Sequence, residues 1–300
     1  MKKKVAILMS TYNGEKYIEQ QIESILNQEF VDISLFIRDD GSTDNTTNII
    51  EKYIKDYDNI FLEVGKNLGF ANSFYALLCQ NIDADYYAFS DQDDIWDSNK
   101  IIEAIRRIDT YEGPALYGSN LKFYDMSHKL EGLLYKKEVF SIIENQMTEY
   151  FFMNNPYGCT LVWNSELNNE IKKYRKPSDI THDTWMNLLA NCLGKVYLDY
   201  NSYINYRLHG GNACGTTPRS LFERVRKFLD FYYVKDKSLN ICSSCKAIQR
   251  YFPRKKNKLI NSLANYNQNI LNRIKAILEL NKSHFTDKKK IMILTLLKKI

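Results

Sequence analysis

Long apolar runs are missing from this 300-residue chain. No stretch approaches the ~20 consecutive apolar residues that a membrane-spanning helix needs. Near the start, a lysine run precedes only five apolar residues, Val5 to Met9, which are too few for the core of a secretory signal peptide. We therefore expect a cytoplasmic protein without a spanning helix.

The cysteines show no framework spacing. The six of them lie at positions 79, 159, 192, 214, 242 and 245, whereas a small secreted domain would need its cysteines paired in a disulfide scaffold. Cys242 and Cys245 have the spacing of half a zinc site, but no second pair follows them. We expect reduced, mostly buried thiols, as in a cytosolic protein.

Glycine-rich phosphate loops are absent as well. No Gly-x-Gly-x-x-Gly and no Gly-Lys-Ser/Thr motif follows any apolar segment, so the chain lacks the usual nucleotide cradles built from backbone amides. A pyrophosphorylase-type nucleotidyltransferase would also need a glycine-rich, basic loop after its first strand. Residues 11–14, with the sequence TYNG, do not supply one.

Apolar strand-like segments alternate with amphipathic helical segments in the first 110 residues. The predicted strands are 5–9, 33–37, 60–64 and 86–89, and the predicted helices are 16–28, 46–57, 70–82 and 100–108. This alternation predicts an α/β fold with a mostly parallel sheet flanked by helices. Further along we expect strands at 115–124 and 158–163, a helix at 183–193, a strand pair at 196–207, and helices at 221–234, 259–280 and 288–297.

Charge divides the chain into two parts. Residues 216–300 hold 20 Lys plus Arg against 5 Asp plus Glu, a net charge of +15, whereas residues 1–215 carry −10. Charge, glycine and proline content change together near residues 215–218. We predict a catalytic or binding domain at 1–215 and a basic helical region at 216–300.

Carboxylates crowd the predicted strand ends. The sequence SDQDDIW at 90–96 places Asp91, Asp93 and Asp94 directly after a buried strand, and Asp39 and Asp40 end another. Parallel sheets bind ligands at these ends, and crowded carboxylates are hard ligands suited to Mn²⁺ or Mg²⁺ bridging to phosphate oxygens. The segment 40–51 imitates a calcium loop, but its sixth position is Asn45 instead of glycine, and a strand precedes it.

Four ordered motifs resemble one known family. STYN at 10–13, DDGSTD at 39–44, NLG at 67–69 and SDQDDIW at 90–96 look like the inverting family-two glycosyltransferases of the GT-A fold. His182-Asp183 and the YRLHGGN sequence at 206–212 resemble the rhamnosyltransferase-like branch. The resemblance covers roughly residues 4–212. It implies a GT-A (Rossmann-like) domain, a nucleoside-diphosphate sugar donor and a Mn²⁺ or Mg²⁺ cofactor.

The resemblance also implies roles for single residues. Asp183 would be the general base, and Asp93 and His209 would hold the metal. The acceptor side would include Trp185 and His182, although many members have Glu where this chain has His182. The donor-binding residues would be Thr11, Tyr12, Asn13, Glu15, Asp39, Asp40, Asn67, Asp91 and Arg207.

Several of these residues have a plain structural alternative. Asp183 could instead cap the following helix, and Trp185 could simply pack. His209 could be hydrogen-bonded locally, or it could reach the diphosphate together with Arg207, since the two lie on one face of an extended segment.

The function expected from these patterns is inverting sugar transfer to a hydroxyl of a glycan or lipid-linked acceptor in bacterial-type surface polysaccharide synthesis. A catalytically silent nucleotide-sugar-binding or scaffolding protein of the same fold is the alternative. The basic, aromatic-rich tail predicts peripheral binding to the anionic inner face of the cell membrane. The composition of the tail also suits solvated helix faces or a homodimer interface, and no nucleic-acid motif occurs.

Overall fold

The computed structural model describes residues 2–124, 131–137, 156–209, 241–255 and 257–283, together with residues 289, 292, 295 and 296. The chain forms two compact units: residues 1–176 with 181–207, and residues 177–180 with 208–300. The domain boundary predicted at residue 215 lies outside the described residues and stays a prediction.

The first unit contains nine strands and six α-helices in its described part. The strands are β1 (Lys3–Thr11), β2 (Val31–Asp39), β3 (Ile60–Val64), β4 (Tyr86–Ser90), β5 (Ile95–Trp96), β6 (Ala115–Tyr124), β7 (Glu131–Leu133), β8 (Val162–Asn164) and β9 (Lys195–Arg207). The helices are α1 (Ile18–Leu26), α2 (Thr46–Asp56), α3 (Phe70–Cys79), α4 (Lys100–Ile108), α5 (Ser165–Ile171) and α6 (His182–Leu193). Up to α4 the order of elements is the predicted one, with only the two-residue β5 added.

These strands form one sheet in the order β3-β2-β1-β4-β8-β6-β9-β5, with β7 paired to β6. The neighbours β3, β2, β1 and β4 are all parallel. Antiparallel pairing of β8 with β4 and β6, and of β5 with β9, makes the other half of the sheet mixed. The α/β class is confirmed, and the parallel arrangement expected for the sheet holds in this four-strand half.

The core lies around β1. Val5, Ile7 and Met9 are fully buried between the parallel neighbours β2 and β4. Helix α1 buries Ile18 and Ile22, one turn apart on a single stripe. Each such side chain contributes about 1.5–3 kcal/mol when buried. The carboxyl end of β1 is therefore held rigidly, together with the loops that follow β1, β2 and β4.

Three element predictions need correction. The expected strand at 158–163 begins as a 3₁₀ turn, and only Val162–Asn164 is strand. The expected pair at 196–207 is one strand, because a register shift opposite Ser119 and Asn120 absorbs two residues without a turn. The expected helix 259–280 is broken in two, since Asn269 accepts a hydrogen bond from the Asn272 amide at 2.8 Å and caps a new helix.

From residue 241 onward the described part of the second unit is mainly helical. Its helices are α7 (Ile241–Tyr251), α8 (Lys258–Ala264) and α9 (Ile270–Lys282). The predicted helix 221–234 lies outside the described residues, and only four residues of 288–297 are described. Across the described residues of both units, no helix has the length and apolar character that a membrane span requires.

Candidate active site

The carboxyl ends of three neighbouring parallel strands meet at one edge of the sheet. The register pairs Thr11 of β1 with Asp39 of β2, and Met9 of β1 with Ser90 of β4. The loops after these strands therefore start side by side, as ligand-binding loops do in open α/β sheets. This edge gathers the three polar motifs that the sequence places at 10–13, 39–44 and 90–96.

Asp39 anchors its own loop. Its Oδ1 accepts hydrogen bonds from the Thr11 hydroxyl at 2.8 Å and the Ser42 hydroxyl at 2.6 Å, and its Oδ2 accepts from the amides of Gly41 and Ser42. Both Thr11 and Asp39 are buried. The geometry makes Asp39 a support of the turn, where Gly41 has a φ of 83°. Contact of Thr11 and Asp39 with a nucleoside stays a prediction.

Asp40 anchors the loop that follows β3. It forms a buried ion pair with Arg38 and accepts hydrogen bonds from the amides of Leu68 and Gly69 at 2.8 Å. Asn67 adds a hydrogen bond from the Gly69 amide to its own Oδ1 at 3.1 Å. Breaking one partner of a buried pair costs about 3–5 kcal/mol, so Asp40 and Arg38 hold the 65–69 loop in place. Direct donor contact by Asp40 or Asn67 stays a prediction.

The loop after β1 is tied to both neighbouring loops. The backbone of Tyr12 exchanges two hydrogen bonds with the side-chain amide of Gln92, at 2.9 and 3.1 Å. Asn13, with φ at 49°, accepts a hydrogen bond from the Thr43 amide at 2.8 Å, and Glu15 accepts one from the Asn45 amide at 3.0 Å. The Tyr12 side chain stays 47% exposed. The aromatic ring of Tyr12 is thus exposed on a loop that hydrogen bonds hold in place.

The acidic loop after β4 holds three carboxylates in different surroundings. Asp91 is half-buried, and burial raises its pKa to about 7, with further contributions from the charges of Asp93 and Asp183. Asp94 is fully buried, and burial followed by the charges of Asp93 and Asp91 raises its pKa. Crowded, desolvated carboxylates favour a positive charge beside them. The structure thus brings together the three acids that the sequence groups, in an environment that favours a bound cation.

Arg207 supports this acidic loop from β9. Its guanidinium donates to the Asp93 carbonyl at 2.9 Å and to Gln20 at 2.5 Å, and its amide donates to Asp94 at 3.2 Å. The guanidinium carbon also lies 4.8 Å from the Tyr17 ring centroid. Arg207 is only 1% exposed. It therefore positions the acids, and its contact with a diphosphate stays a prediction.

Asp183 lies at the start of α6 and faces the acidic loop closely enough for its charge to raise the pKa of Asp91. It is the second residue of the helix and Thr181 is the N-cap, so the simple capping role is not the one observed. Oδ1 of Asp183 accepts hydrogen bonds from the Thr181 hydroxyl and from the Thr184 amide, the latter at 2.7 Å. The carboxylate is oriented by its own helix terminus.

The two predicted acceptor-side residues are buried instead. Trp185 is fully buried, because it lies on the core face of α6. His182 stacks on Phe74 with ring centroids 4.2 Å apart and lies edge-on to Phe89 at 4.8 Å. Burial lowers the pKa of His182 to about 4. Both side chains pack into the apolar interior, and their contact with an acceptor stays a prediction.

His209 belongs to the second unit. The metal-binding role predicted for it stays a prediction.

Two buried residues beside the acids were missed by the sequence reasoning. The Cys159 thiol, the Asp91 carboxylate and the Asp94 carboxylate each have a possible ligand atom within 4.8 Å of the other two. Lys100 is 1% exposed, and its Nζ lies 3.5 Å from the Trp96 ring centroid. Lys100 is four residues before Ala104 on the buried stripe of α4, a lysine on an apolar face that could have been noticed. Cys159 carried no comparable signal.

The donor set of the acidic loop fits a divalent cation. Asp91 and Asp93 offer carboxylate oxygens, the ligands preferred by Mn²⁺ and Mg²⁺. Among the described residues the buried Oδ2 of Asp94 accepts no hydrogen bond, so a carboxyl oxygen beside these ligands has no donor. GT-A enzymes commonly use divalent metals.

Residues 6–184 match the protein family described as Glycosyl transferase family 2. Over 220 residues, the chain is 37% identical to the dTDP-rhamnosyl transferase RfbG of Shigella flexneri, covering 69% of this chain and 73% of RfbG. The family match defines the class of protein, a glycosyltransferase. The chain belongs to glycosyltransferase family 2.

Two solved structures share the fold. TarS residues 1–349 of S. aureus, in complex with UDP-GlcNAc, match with a TM-score of 0.56 at 18% identity, covering 94% of this chain and 80% of that one. The mannosyltransferase PcManGT from Pyrobaculum calidifontis, in complex with GDP-Man and Mn²⁺, matches with a TM-score of 0.55 at 11% identity, covering 99% and 85%. The GT-A fold expected from the sequence is confirmed.

Proposed function

We propose that this glycosyltransferase moves a sugar, with inversion, from a nucleoside-diphosphate sugar to a hydroxyl of a glycan or lipid-linked acceptor in bacterial-type surface polysaccharide synthesis. The proposal rests on one observation. Asp91, Asp93 and Asp183 come together at the carboxyl end of the parallel strands, near enough for two of their charges to raise the pKa of the third. A displacement at a sugar carbon needs both a charge-neutralised leaving group and a base, and these acids can serve both ends.

The donor is assigned to the loops after β1, β2 and β4. The exposed Tyr12 ring would stack on the base, while Asp39 and Asp40 hold the loops that surround the nucleoside. The identity with a protein named dTDP-rhamnosyl transferase supports a dTDP-linked rhamnose as the first donor to test. The related structures were solved with UDP-GlcNAc and GDP-Man, so uridine and guanosine donors belong in the same panel.

Asp91 and Asp93 would hold Mn²⁺ or Mg²⁺ with the donor. When bound, the metal neutralises charge on the departing diphosphate. Arg207 keeps the acidic loop in place through the Asp93 carbonyl and the Asp94 carboxylate. The role of the chain is to hold these oxygens in a fixed, partly desolvated arrangement.

Asp183 would remove the proton of the acceptor hydroxyl. The two hydrogen bonds that it accepts from described residues, from the Thr181 hydroxyl and the Thr184 amide, go to Oδ1. We assign Oδ2 as the atom that takes the proton. A base fixed in this way on the face opposite the leaving group gives a single displacement and inverts the anomeric carbon.

A donor panel tests the proposal. Purified protein would be incubated with dTDP-, UDP- and GDP-sugars, a membrane-lipid extract as acceptor source and Mn²⁺ or Mg²⁺. Released nucleoside diphosphate would be measured and the product linkage read by NMR. We expect turnover of one donor class with inversion, abolished by excess EDTA and by Asp93→Asn. Donor binding without turnover of any donor would instead indicate the catalytically silent binding protein.

The protein would work as a peripheral enzyme on the inner face of the membrane. Helix α9 exposes Ile270, Ile274 and Leu278 at a spacing of four residues, with Leu271 beside them. Lys275 and Lys282 lie on the same helix. Apolar side chains flanked by lysines suit the boundary of an anionic leaflet, where a lipid-linked acceptor would be located.

A further inference from the structure

A groove with a volume of about 310 Å³ lies between helices α8 and α9 of the second unit. Its walls come from one face of each helix, because the lining residues on each helix are three, four or seven positions apart. Helix α8 contributes Lys258, Asn261 and Ser262, and α9 contributes Lys275, Leu278, Glu279 and Lys282. We call this feature the α8–α9 groove.

Positive charge predominates in the α8–α9 groove. Lys258 and Lys275 are exposed, and neither ammonium group has an ion-pair or hydrogen-bond partner in the described part of the chain. The acid of the lining, Glu279, already accepts a hydrogen bond from the Lys282 ammonium group at 2.9 Å. One lysine thus neutralises the carboxylate, and two lysines, one on each wall, remain for an anion.

The neutral polar groups of the groove are donors as well. Oδ1 of Asn261 accepts a hydrogen bond from Gln249 Nε2 at 2.8 Å, which leaves the Asn261 Nδ2 to donate. The Ser262 hydroxyl has no hydrogen-bond partner among the described residues and can also donate. A phosphate group carries negative charge and several oxygens that only accept, so it complements both lysines and both neutral donors.

The groove adjoins the exposed apolar stripe of α9. Leu278, which is 53% exposed, belongs both to the groove and to the stripe that Ile270 and Ile274 begin. A ligand with a phosphate group at one end and methylene groups beside it can therefore contact both surfaces at once. Free phosphate would contact the polar part alone.

A second copy of the chain is a poorer occupant. A two-fold dimer through this face would place the same surface on both sides of the interface. Lys258 and Lys275 of the two copies would then face one another, and like charges brought together across an interface are costly. The charge of the groove therefore favours an anionic occupant.

We propose that the α8–α9 groove binds the phosphate group of an anionic membrane phospholipid. Lys258 and Lys275 bind the phosphate oxygens, and the glycerol and first methylene groups of the lipid lie against Leu278 and Ile274. The choice of a lipid rests on the peripheral membrane binding proposed above. The inference adds a defined phosphate site to the general attraction between a basic surface and an anionic leaflet.

Sedimentation of the full-length protein with vesicles of two compositions tests this site. Phosphatidylcholine vesicles would carry either phosphatidylglycerol, whose charge is on a phosphate, or oleate, whose charge is on a carboxylate, at equal zeta potential. The choline group neutralises the phosphate of the carrier lipid. We expect the wild-type protein to bind the phosphatidylglycerol vesicles about tenfold more tightly, since a phosphate offers the groove more acceptor oxygens than a carboxylate does. Equal binding to both compositions, or binding to neither, would overturn the proposal.

Two charge-matched double variants locate the effect. Lys258→Gln/Lys275→Gln removes two exposed charges from the groove, and Lys246→Gln/Arg250→Gln removes two exposed charges from α7 of the same unit. The groove variant should bind phosphatidylglycerol vesicles about 10–30-fold more weakly than wild type and lose the preference over oleate. The α7 variant should keep that preference. Equal losses in the two variants would show that net charge, and not the groove, is responsible.

Two further measurements identify the other occupants. Calorimetric titration with inorganic phosphate at constant ionic strength should show only weak binding, because free phosphate lacks the apolar part of a lipid. Tight phosphate binding without a vesicle preference would identify a free-phosphate site, and a dimer in analytical ultracentrifugation that the groove variant loses would identify a second copy. Either result would overturn the lipid assignment. None of these measurements needs a sugar donor or acceptor, so failure of sugar transfer would leave them interpretable.

Discussion

Single side chains at this site were only partly predictable. The acids at 91, 93 and 183 were identified from their motifs, and the structure brings them together. The buried groups around the site were not identified from the sequence. An ion pair such as Arg38 with Asp40, or the pocket of Lys100, depends on tertiary contacts that no local motif shows. The burial of Trp185 could not be decided from the sequence for a related reason, since tryptophan serves equally well in cores and in sugar-binding surfaces.

The raised pKa of Asp91 predicts a pH dependence for metal and donor binding. With a pKa of about 7 in the metal-free protein, the carboxyl group is mostly protonated at pH 6. A proton must leave before the group can act as a ligand. We expect the affinity for Mn²⁺ plus nucleoside diphosphate to fall by up to about tenfold per pH unit below 7.

Calorimetric titration between pH 5.5 and 8 would measure this affinity, with proton release read from buffers of different ionisation enthalpy. Asp91→Asn should bind more weakly and show a flatter profile. A wild-type affinity that is constant from pH 8 to 5.5 would contradict the assignment of Asp91 as a ligand.

Helices and strands were predicted more reliably than residue roles. The apolar periodicity of 100–108 and the largely apolar segment 60–64 matched the observed elements residue for residue. The failures at 158–163, 196–207 and 259–280 share a physical cause. Register shifts, 3₁₀ turns and asparagine caps interrupt an element without changing its apolar pattern, so the pattern alone cannot place them.

The docking of α6 onto the core predicts a pH-dependent stability. His182 sits between Phe74 of α3 and Phe89 of β4, and burial lowers its pKa to about 4 in the folded protein. In the unfolded chain a histidine has a pKa of about 6.5. Between pH 4 and 6.5 the unfolded chain therefore binds a proton at His182 more readily than the folded protein does. The contribution of His182 to the free energy of unfolding should therefore be fully present above pH ~6.5. Below that value the free energy of unfolding should fall by up to about 1.4 kcal/mol per pH unit, down to pH ~4.

Denaturant unfolding of wild type and His182→Phe at several pH values would measure this. The phenylalanine ring fits the same aromatic surroundings without a titrating group. We expect the variant to lose less stability than wild type between pH 6.5 and 4.5. Parallel pH profiles for the two proteins would show that His182 contributes nothing to the acid lability.

Over the chain as a whole, the charge division found in the sequence parallels the division into two units. The acids discussed here lie in the first unit, and the exposed apolar stripe of α9 lies in the second. Peripheral membrane binding through α9 predicts sedimentation with anionic vesicles at low salt and release at high salt, because exposed charges are screened within about 10 Å at 0.1 M salt.

The matched variants are Ile270→Ser/Ile274→Ser on α9 and Phe30→Ser, which removes an exposed aromatic residue of the first unit. Only the α9 variant should lose vesicle binding. Equal sedimentation of the wild-type protein with neutral and anionic vesicles, or no sedimentation with either, would contradict electrostatic binding to the membrane. A concentration-dependent dimer lost in the α9 variant would then identify this stripe as a homodimer interface.

The central claim is that Asp183 removes the acceptor proton in a sugar transfer, and the transfer rate of Asp183→Asn tests it most directly. The rate would be measured beside donor affinity, with the surface variant Asp109→Asn as the control. We predict unchanged donor affinity and a loss of transfer by a factor of ~10²–10⁴, the usual contribution of a positioned base. Transfer by Asp183→Asn at the wild-type rate would contradict the account.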